Sequence, residues 1–375
     1  MLIVISYLIL DNKFKKNEFG IVINKISSKI ISLPIMILIT GGTGLVGSQI
    51  LYDLAASGTK IRALRRTGSS MNIVNRLFLA NPQYLHNIEW FEGDINDAFS
   101  IEDAMKDIET VYHSAGFISF FSSEKNKMMT INAEGTANVV NMALKTGVKR
   151  FCHVSSVAAL GRKDGEKFID EKSWWKTSSQ NSNYAISKYG SEREVWRGIE
   201  EGLSAFIINP SIIIGAGNWK TGSTQMFSQV WKGLSFYTDG ITGFVDVRDV
   251  SKAAILLMKK GVSNERYIIN AENLSYRNIF DLIATNLGRP KAKIKVNKFF
   301  AEIGWRGELI KSFFIQKSPL ITKETARNSF MQWNYSSEKI KKEIGINFIS
   351  MEKSIKDTCE IFLTEIKNNP DSLND

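Results

Sequence analysis

Short apolar runs and longer stretches of helical periodicity alternate along most of the chain. Short apolar-rich runs recur at 36–39, 60–64, 88–91, 110–113, 150–155 and 205–208. Runs of that length, bounded by Gly, Ser, Asp or Arg, read as strands buried on both faces. Between them lie segments of helical period at 49–56, 100–106, 127–145 and 184–201. Ser100 and Asp103 resemble a capping box for the second of these, with Asp standing in for Glu. A further helix at 250–260 and a further strand at 266–269 continue the series. Strand–helix alternation of this kind predicts an α/β fold, a doubly wound parallel sheet with helices on both faces.

The pattern changes at Ser211. Residues 215–240 are rich in Gly, Trp and Phe with weak periodicity. Beyond about 271 the chain reads as mostly helical and basic, at 276–287, 298–311, 322–328, 337–343 and 351–367. The expected organisation is therefore a nucleotide-type sheet domain, 36–210 plus 243–270, and a smaller, mostly helical substrate-binding or capping domain, 211–242 plus 271–375. Residues 1–10 are apolar but far shorter than the roughly 20 residues that cross a bilayer. No basic segment precedes them and no cleavage site follows. Met36 stands where the first strand begins, so 1–35 is expected to be an extension outside the physiological protein.

Composition narrows the function classes. The chain has 375 residues, 43% hydrophobic and 23% charged, with a net charge of +10. Its lysines are scattered, many beside glutamates on helices, which describes a solvated surface with a general attraction to anions. No nucleic-acid-binding motif accompanies the charge, so no nucleic-acid partner is expected. Two cysteines and three histidines, widely spaced, make neither a disulfide framework nor a metal site. A reducing cytoplasm and no membrane contact are expected.

Candidate chemistry lies at the strand ends. The first run breaks at Thr40 into Gly41, Gly44 and Gly47 and leads at once into a helix. A dinucleotide pyrophosphate needs that sequence of strand, glycine turn and helix N-terminus. Gly41, Thr43, Gly44, Leu45 and Val46 would supply the cradle. The second run ends in Arg65 and Arg66, where an NAD-preferring site carries an acidic residue for the ribose. Guanidinium groups suit a 2′-phosphate, so NADP is the expected cofactor, with NAD the alternative. Asp94 and Ile95 end the third run beside the expected adenine position. The small residues Ser114, Ala115 and Gly116 end the fourth, and Pro210 and Ser211 end the sixth.

Tyr184 and Lys188, four apart on one helix, share a face. An ammonium beside a phenol is expected to stabilise the phenolate and lower its pKa. Tyr184 would then exchange a proton with a carbonyl or alcohol oxygen as hydride moves. Ser156, at the end of the fifth run, would donate to the same oxygen. Lys188 and Tyr184 are also expected beside the nicotinamide ribose. Asn132 is expected either to support proton movement or to tie its helix to a neighbouring strand.

Taken in order, Thr40-Gly-Gly-Thr-Gly-Leu-Val-Gly47, Gly93-Asp94-Ile95, Asn132-x-x-Gly135-Thr136, Ser156, Tyr184-x-x-x-Lys188, Asn209-Pro210 and Val245-Asp-Val-Arg-Asp249 resemble the extended short-chain dehydrogenases/reductases of the epimerase/dehydratase superfamily. The likeness covers about 36–287 well and the remainder loosely. It implies a Rossmann fold, a Ser–Tyr–Lys catalytic set, a bound NAD(P) and commonly a homodimer. Asp170-Glu171-x-x-Trp174 and Arg66 resemble the dihydroflavonol-reductase-like branch, implying a reductase of a ketone or aldehyde. The plant flavonoid reductases of that branch carry Asn five residues after the serine; here Gly161 stands there, which argues against a flavonoid substrate. Val157-Ala158 after Ser156 lack the acidic pair of sugar-nucleotide dehydratases. A nucleotide-sugar epimerase with tightly held NAD and a 3β-hydroxysteroid or sterol dehydrogenase remain alternatives, as does a cofactor-binding protein without chemistry. Phe299, Phe300, Trp305, Phe313 and Phe314 would line an apolar pocket, touch a membrane or fill a helical core.

Overall fold

A computed structural model of the chain describes residues 36–161, 168–178, 181–300, 302 and 323–368. The 1–35 extension, most of the helix expected at 298–311, and Trp305, Phe313 and Phe314 lie outside those residues. Seven strands, β1 (Met36–Thr40), β2 (Ile61–Arg65), β3 (Ile88–Glu92), β4 (Ile108–His113), β5 (Arg150–Val154), β6 (Ala205–Pro210) and β7 (Glu265–Ile269), form one sheet. The spatial order is β7-β6-β5-β4-β1-β2-β3 and every pairing is parallel. The chain winds outward in both directions from β1 and β4. In such a sheet the crevice lies at the carboxyl ends of these two strands.

Four helices matter most for the site: α1 (Leu45–Ala56), α2 (Gly135–Thr146), α3 (Asn183–Glu200) and α4 (Val247–Lys260). Ile50, Leu51 and Leu54 of α1 and Val250, Ala253 and Leu257 of α4 pack on Ile37, Ile39, Phe206 and Ile208. Val139, Val140 and Ala143 of α2 and Val195 of α3 pack on Leu38, Val111, Phe151 and Ile207 from the other side. Neighbouring strand residues thus enter opposite cores, as the two-residue period of a strand requires. This is why inner strands such as β1 and β6 are apolar almost throughout, while β2 and β3 toward one edge admit Arg62 and Glu89.

Three local expectations are corrected. The helix expected at 100–106 spans Ala98–Ala104, and its cap is Asp97, whose carboxylate accepts from Phe99 N at 3.0 Å. Ser100 instead donates to the Asp94 and Asp97 carbonyls, both at 3.0 Å. The helix expected at 127–145 carries a wide π turn, Met129–Glu134, before α2. Periodicity does not expose one inserted residue, and such turns recur at functional sites. Third, the regular structure expected to resume at 243 begins two residues earlier, as a strand outside the seven-stranded sheet. Strand Ile241–Asp246 pairs in parallel with Ile212–Ile214 and antiparallel with Glu272–Ser275 in a separate sheet.

Over that small sheet Phe227, Phe244, Ile279, Ile283, Met351, Ile355 and Phe362 form their own core. Helices Gln225–Trp231, Tyr276–Leu287 and Met351–Asn368 supply most of it. Phe299 and Phe300 stay outside any core, 69% and 62% exposed. Both cysteines are buried and unpaired. Among the described residues no cluster of ligating side chains would hold a metal, and no helix is long and apolar enough to cross a membrane.

Candidate active site

The turn after β1 is shaped by two glycines and left open at a third. Gly41 has φ +72°, and a Cβ there would lie 2.6 Å from Ala115 N. At Gly47 a Cβ would meet the Gly41 carbonyl oxygen at 2.1 Å, so α1 reaches the strand only through glycine. Gly44 differs. Its N–H donates to Gly41 O at 3.0 Å, and its own Cβ position meets nothing nearer than that oxygen at 3.4 Å. Protein packing therefore demands glycine at 41 and 47 and leaves the space above Gly44 clear. Gly44 caps α1 without a side-chain hydrogen bond, and the first turn holds no acidic residue. Its unpartnered N–H groups form an anion-receptive end. Thr43 and Leu45 are half-buried there, and Val46 packs into the core below.

Ser156 follows β5 and caps a short turn, accepting from Ala158 N at 3.1 Å. Its carbonyl accepts from Asn209 Nδ2 at 2.9 Å. Tyr184 and Lys188 stand in the first turns of α3, whose cap is Ser182, accepting from Ala185 N at 2.9 Å. The three side chains converge: the Ser156 hydroxyl is near enough to the Tyr184 phenol to favour its ionised form. Lys188 is buried and donates to the Val154 carbonyl at 2.9 Å.

The electrostatics correct one expectation. Burial pushes the Tyr184 phenol up to about 12, and the Ser156 hydroxyl opposes this only in part. The Lys188 ammonium does not outweigh this burial, and it is itself destabilised. Burial drives Lys188 down to about 8, with Glu192, one turn along, pulling it back up. The protein's own groups thus leave Tyr184 a neutral proton donor near pH 7.

Asn132 lies in the π turn and ties segments together. Its Oδ1 accepts from Phe117 N at 2.7 Å, and its Nδ2 donates to Phe117 O and to Ser187 Oγ, both at 2.9 Å. It joins the loop after β4 to α3, in line with the tying role. Ser114 N and Ala115 N reach back to Thr40, at its carbonyl and hydroxyl oxygens respectively, both at 3.2 Å. Gly116, in the same loop, is exposed.

The remaining expected cofactor residues are placed unevenly. Arg65 lays its guanidinium on the Trp90 ring at 5.4 Å, whereas Arg66 is exposed at the carboxyl edge. Asp94 accepts from Asn96 N at 3.0 Å. Ile95 is buried, and Gly135 is small because a Cβ would lie 2.7 Å from it. Pro210 ends β6, and Ser211 is buried with its N–H on Ile269 O at 3.0 Å.

Sequence reasoning missed several neighbours. Phe120 meets Tyr184 edge-on, ring centres 6.4 Å apart. Glu192, almost fully buried, accepts from Asn209 Nδ2 at 2.5 Å and pairs with Arg266 at 3.5 Å. Arg266 also donates to the carbonyls of Glu171 and Ser173, at 2.9 and 3.1 Å. Trp175 stacks on Tyr189 of α3 at 4.3 Å. This strap explains Gly161: a Cβ there would lie 1.3 Å from the Trp174 carbonyl oxygen. The Asn-Pro motif was the one sequence signal for this network; the carboxylate and guanidinium gave none.

Known proteins resemble the chain in sequence and fold. The sequence model of the NAD dependent epimerase/dehydratase family matches residues 37–270. A Synechocystis sp. protein provisionally named dihydroflavonol 4-reductase is 27% identical over 333 residues, 86% of this chain and 93% of its own length. Sterol demethylase protein B of Methylococcus capsulatus is 26% identical over 330 residues, 87% of this chain and 97% of its own. The crystal structure of gox2253 matches with a TM-score of 0.73 at 30% identity, covering 88% of this chain and 98% of that one. With its glycine turn and its Ser–Tyr–Lys cluster at the carboxyl edge of a parallel sheet, the chain belongs to the NAD dependent epimerase/dehydratase family.

Proposed function

We propose that the chain is an NADP-preferring oxidoreductase that interconverts a ketone or aldehyde and its alcohol. The observation that carries this reading is the convergence of Ser156, Tyr184 and buried Lys188 at the strand ends, next to a glycine turn without a side-chain cap. The clear space above Gly44 fits a pyrophosphate approached by backbone N–H groups, and exposed Arg66 fits a 2′-phosphate. A bound nicotinamide supplies the hydride and, once oxidised, a positive charge near the phenol.

The chain's residues divide the remaining work. Ser156 holds the substrate oxygen by hydrogen bond. Tyr184, neutral near pH 7, delivers its proton to that oxygen during reduction. Lys188 anchors to Val154 and offers its charge to the phenolate left behind. Phe120 walls the oxygen's surroundings with apolar surface. Residues 211–242 and those from 271 onward hold the outer part of the substrate. The reductases and the sterol-processing protein among the relatives support a carbonyl substrate attached to an apolar body.

Two measurements test this. Titration of the purified protein with NADPH and NADH should give tighter NADPH binding, whereas stoichiometric NAD already bound would favour an epimerase. Tyr184→Phe should bind NADPH as the parent does and lose about 10²–10⁴-fold in turnover of a carbonyl panel. Retained turnover would sink the mechanism.

A further inference from the structure

Two histidines, His113 and His153, take no part in the chemistry above. They sit opposite each other on β4 and β5, fully buried, rings stacked 5.2 Å apart. A neutral imidazole has one donor and one acceptor, and its neighbours decide which nitrogen is which. Here the neighbours are hydroxyls whose single protons can be traced.

Thr136 Oγ1 lies 2.5 Å from the Asn132 carbonyl oxygen. Two oxygens come that close only with a hydrogen between them, so the Thr136 proton is committed there. Toward His113 Nε2, 2.9 Å away, Thr136 can only accept. His113 therefore carries its proton on Nε2. Its Nδ1 accepts from Thr40 Oγ1 at 2.7 Å, and Thr40 in turn accepts from Ala115 N.

The same logic applies on β5. Ser191 Oγ donates to the Lys188 carbonyl at 2.8 Å, so His153 Nε2, at 3.2 Å, donates to Ser191. His153 Nδ1 has no partner, which leaves a buried acceptor rather than a buried donor unmet. Each histidine thus hands an N–H to a hydroxyl that caps a carbonyl, of Asn132 in one case and Lys188 in the other. From Asn132 the chain continues through Nδ2 to Ser187 Oγ, which donates to the Tyr184 carbonyl at 2.8 Å.

We infer that His113 and His153 are positioning residues: locked as Nε2–H imidazoles, they orient Thr136 and Ser191 and so fix the Tyr184–Lys188 helix against the Thr40 turn and the 114–117 loop. Donors run one way in each of two segments, Ala115 N through Thr40, His113 and Thr136 to the Asn132 carbonyl, and Asn132 Nδ2 through Ser187 to the Tyr184 carbonyl; each bond polarises the next within a segment, and Asn132 joins the two covalently. Burial, with the Lys188 charge acting the same way, drives His113 down to about 3 and His153 well below its usual value. The pair is therefore a fixed spacer across the working pH range. Misplacement of a reacting group by about 1 Å can cost roughly 10²-fold in rate, so such spacing has catalytic consequences without contact to substrate.

The catalytic half of this inference rests on the reductase reading, so the test includes readouts that need no turnover. A two-bond ¹H–¹⁵N spectrum of the native protein, assigned with His113→Phe, should show both rings neutral and Nε2-protonated at pH 6. An Nδ1–H tautomer or an imidazolium at either site would overturn the inference. Thr136→Val keeps the side chain's shape and removes the hydroxyl; Thr136→Ser restores it. With ¹⁵N-lysine labelling, the Lys188 titration should move toward the ordinary lysine value in Thr136→Val and stay put in Thr136→Ser. Turnover should fall by about tenfold or more in the valine variant, with NADPH affinity retained and serine rescuing. Turnover and Lys188 titration both untouched by Thr136→Val would refute the positioning role while the reductase stands. A moved Lys188 in a protein that reduces no carbonyl would support the positioning role and defeat the reductase.

Discussion

Lys188 is where site and stability can be weighed against each other. Its amine falls from an ordinary 10.5 to about 8 because burial penalises the ammonium more than the Glu192 charge restores. At about 1.4 kcal/mol per pH unit, that displacement costs the folded state roughly 3 kcal/mol at neutral pH. Below pH 8 folded and unfolded chains both carry the proton, and the cost is constant. Between pH 8 and 10.5 the unfolded chain holds a proton that the folded chain has released, so stability rises with pH. Lys188→Met fills the same space and abolishes this titration. Urea unfolding of parent and variant at pH 7 and 9.5 isolates the effect, because all other groups titrate in both. The parent should gain about 2 kcal/mol on the variant over that interval. Parallel stability–pH curves would refute the assignment of a buried, depressed lysine.

Two substitutions probe the glycines. Gly44→Ala adds a methyl to open space at φ −84° and should leave stability within about 1 kcal/mol of the parent, yet weaken NADPH binding by about tenfold or more; unchanged affinity would remove the pyrophosphate from this turn. Gly47→Ala, whose Cβ meets a backbone oxygen at 2.1 Å, should lower stability itself, by about 1–3 kcal/mol in denaturant unfolding. Gly161→Ala should cost a similar amount by overpacking and loosen the Trp175–Tyr189 stack, seen as a change in tryptophan fluorescence; an unperturbed spectrum with full stability would mean that the Trp174 backbone does not press on this position.

Much of the fold and part of the candidate site could be read before any coordinates. The parallel sheet was legible because short apolar-rich runs alternate with helical stretches, and Leu38 beside Ile37 and Ile39 needs no knowledge of which core each enters. The glycine turn was legible because Gly41 and Gly47 answer to local geometry. Tyr184 and Lys188 were legible because four residues make one helical turn. All of these are short-range constraints, stored in spacing.

What spacing does not store is identity of partners across the chain. Strand 241–246 has a strand's composition, but only pairing with 212–214 and 272–275 puts it in a second sheet. Two adjacent arginines look equivalent until Trp90, on the next strand, takes one of them. Gly161 looks like a missing side chain until the Trp174 carbonyl is found against it. The raised Tyr184 phenol and the lowered Lys188 amine could not be read from the helix alone, because desolvation is a property of everything packed around a group. The tautomers of His113 and His153 depend on hydroxyls up to 73 residues away that meet them only in the folded core. Periodicity and local sterics determined the strands, the turn and the helical register; burial and long-range hydrogen bonding, which exist only once the sheet has closed its two cores, decided the chemistry those elements present.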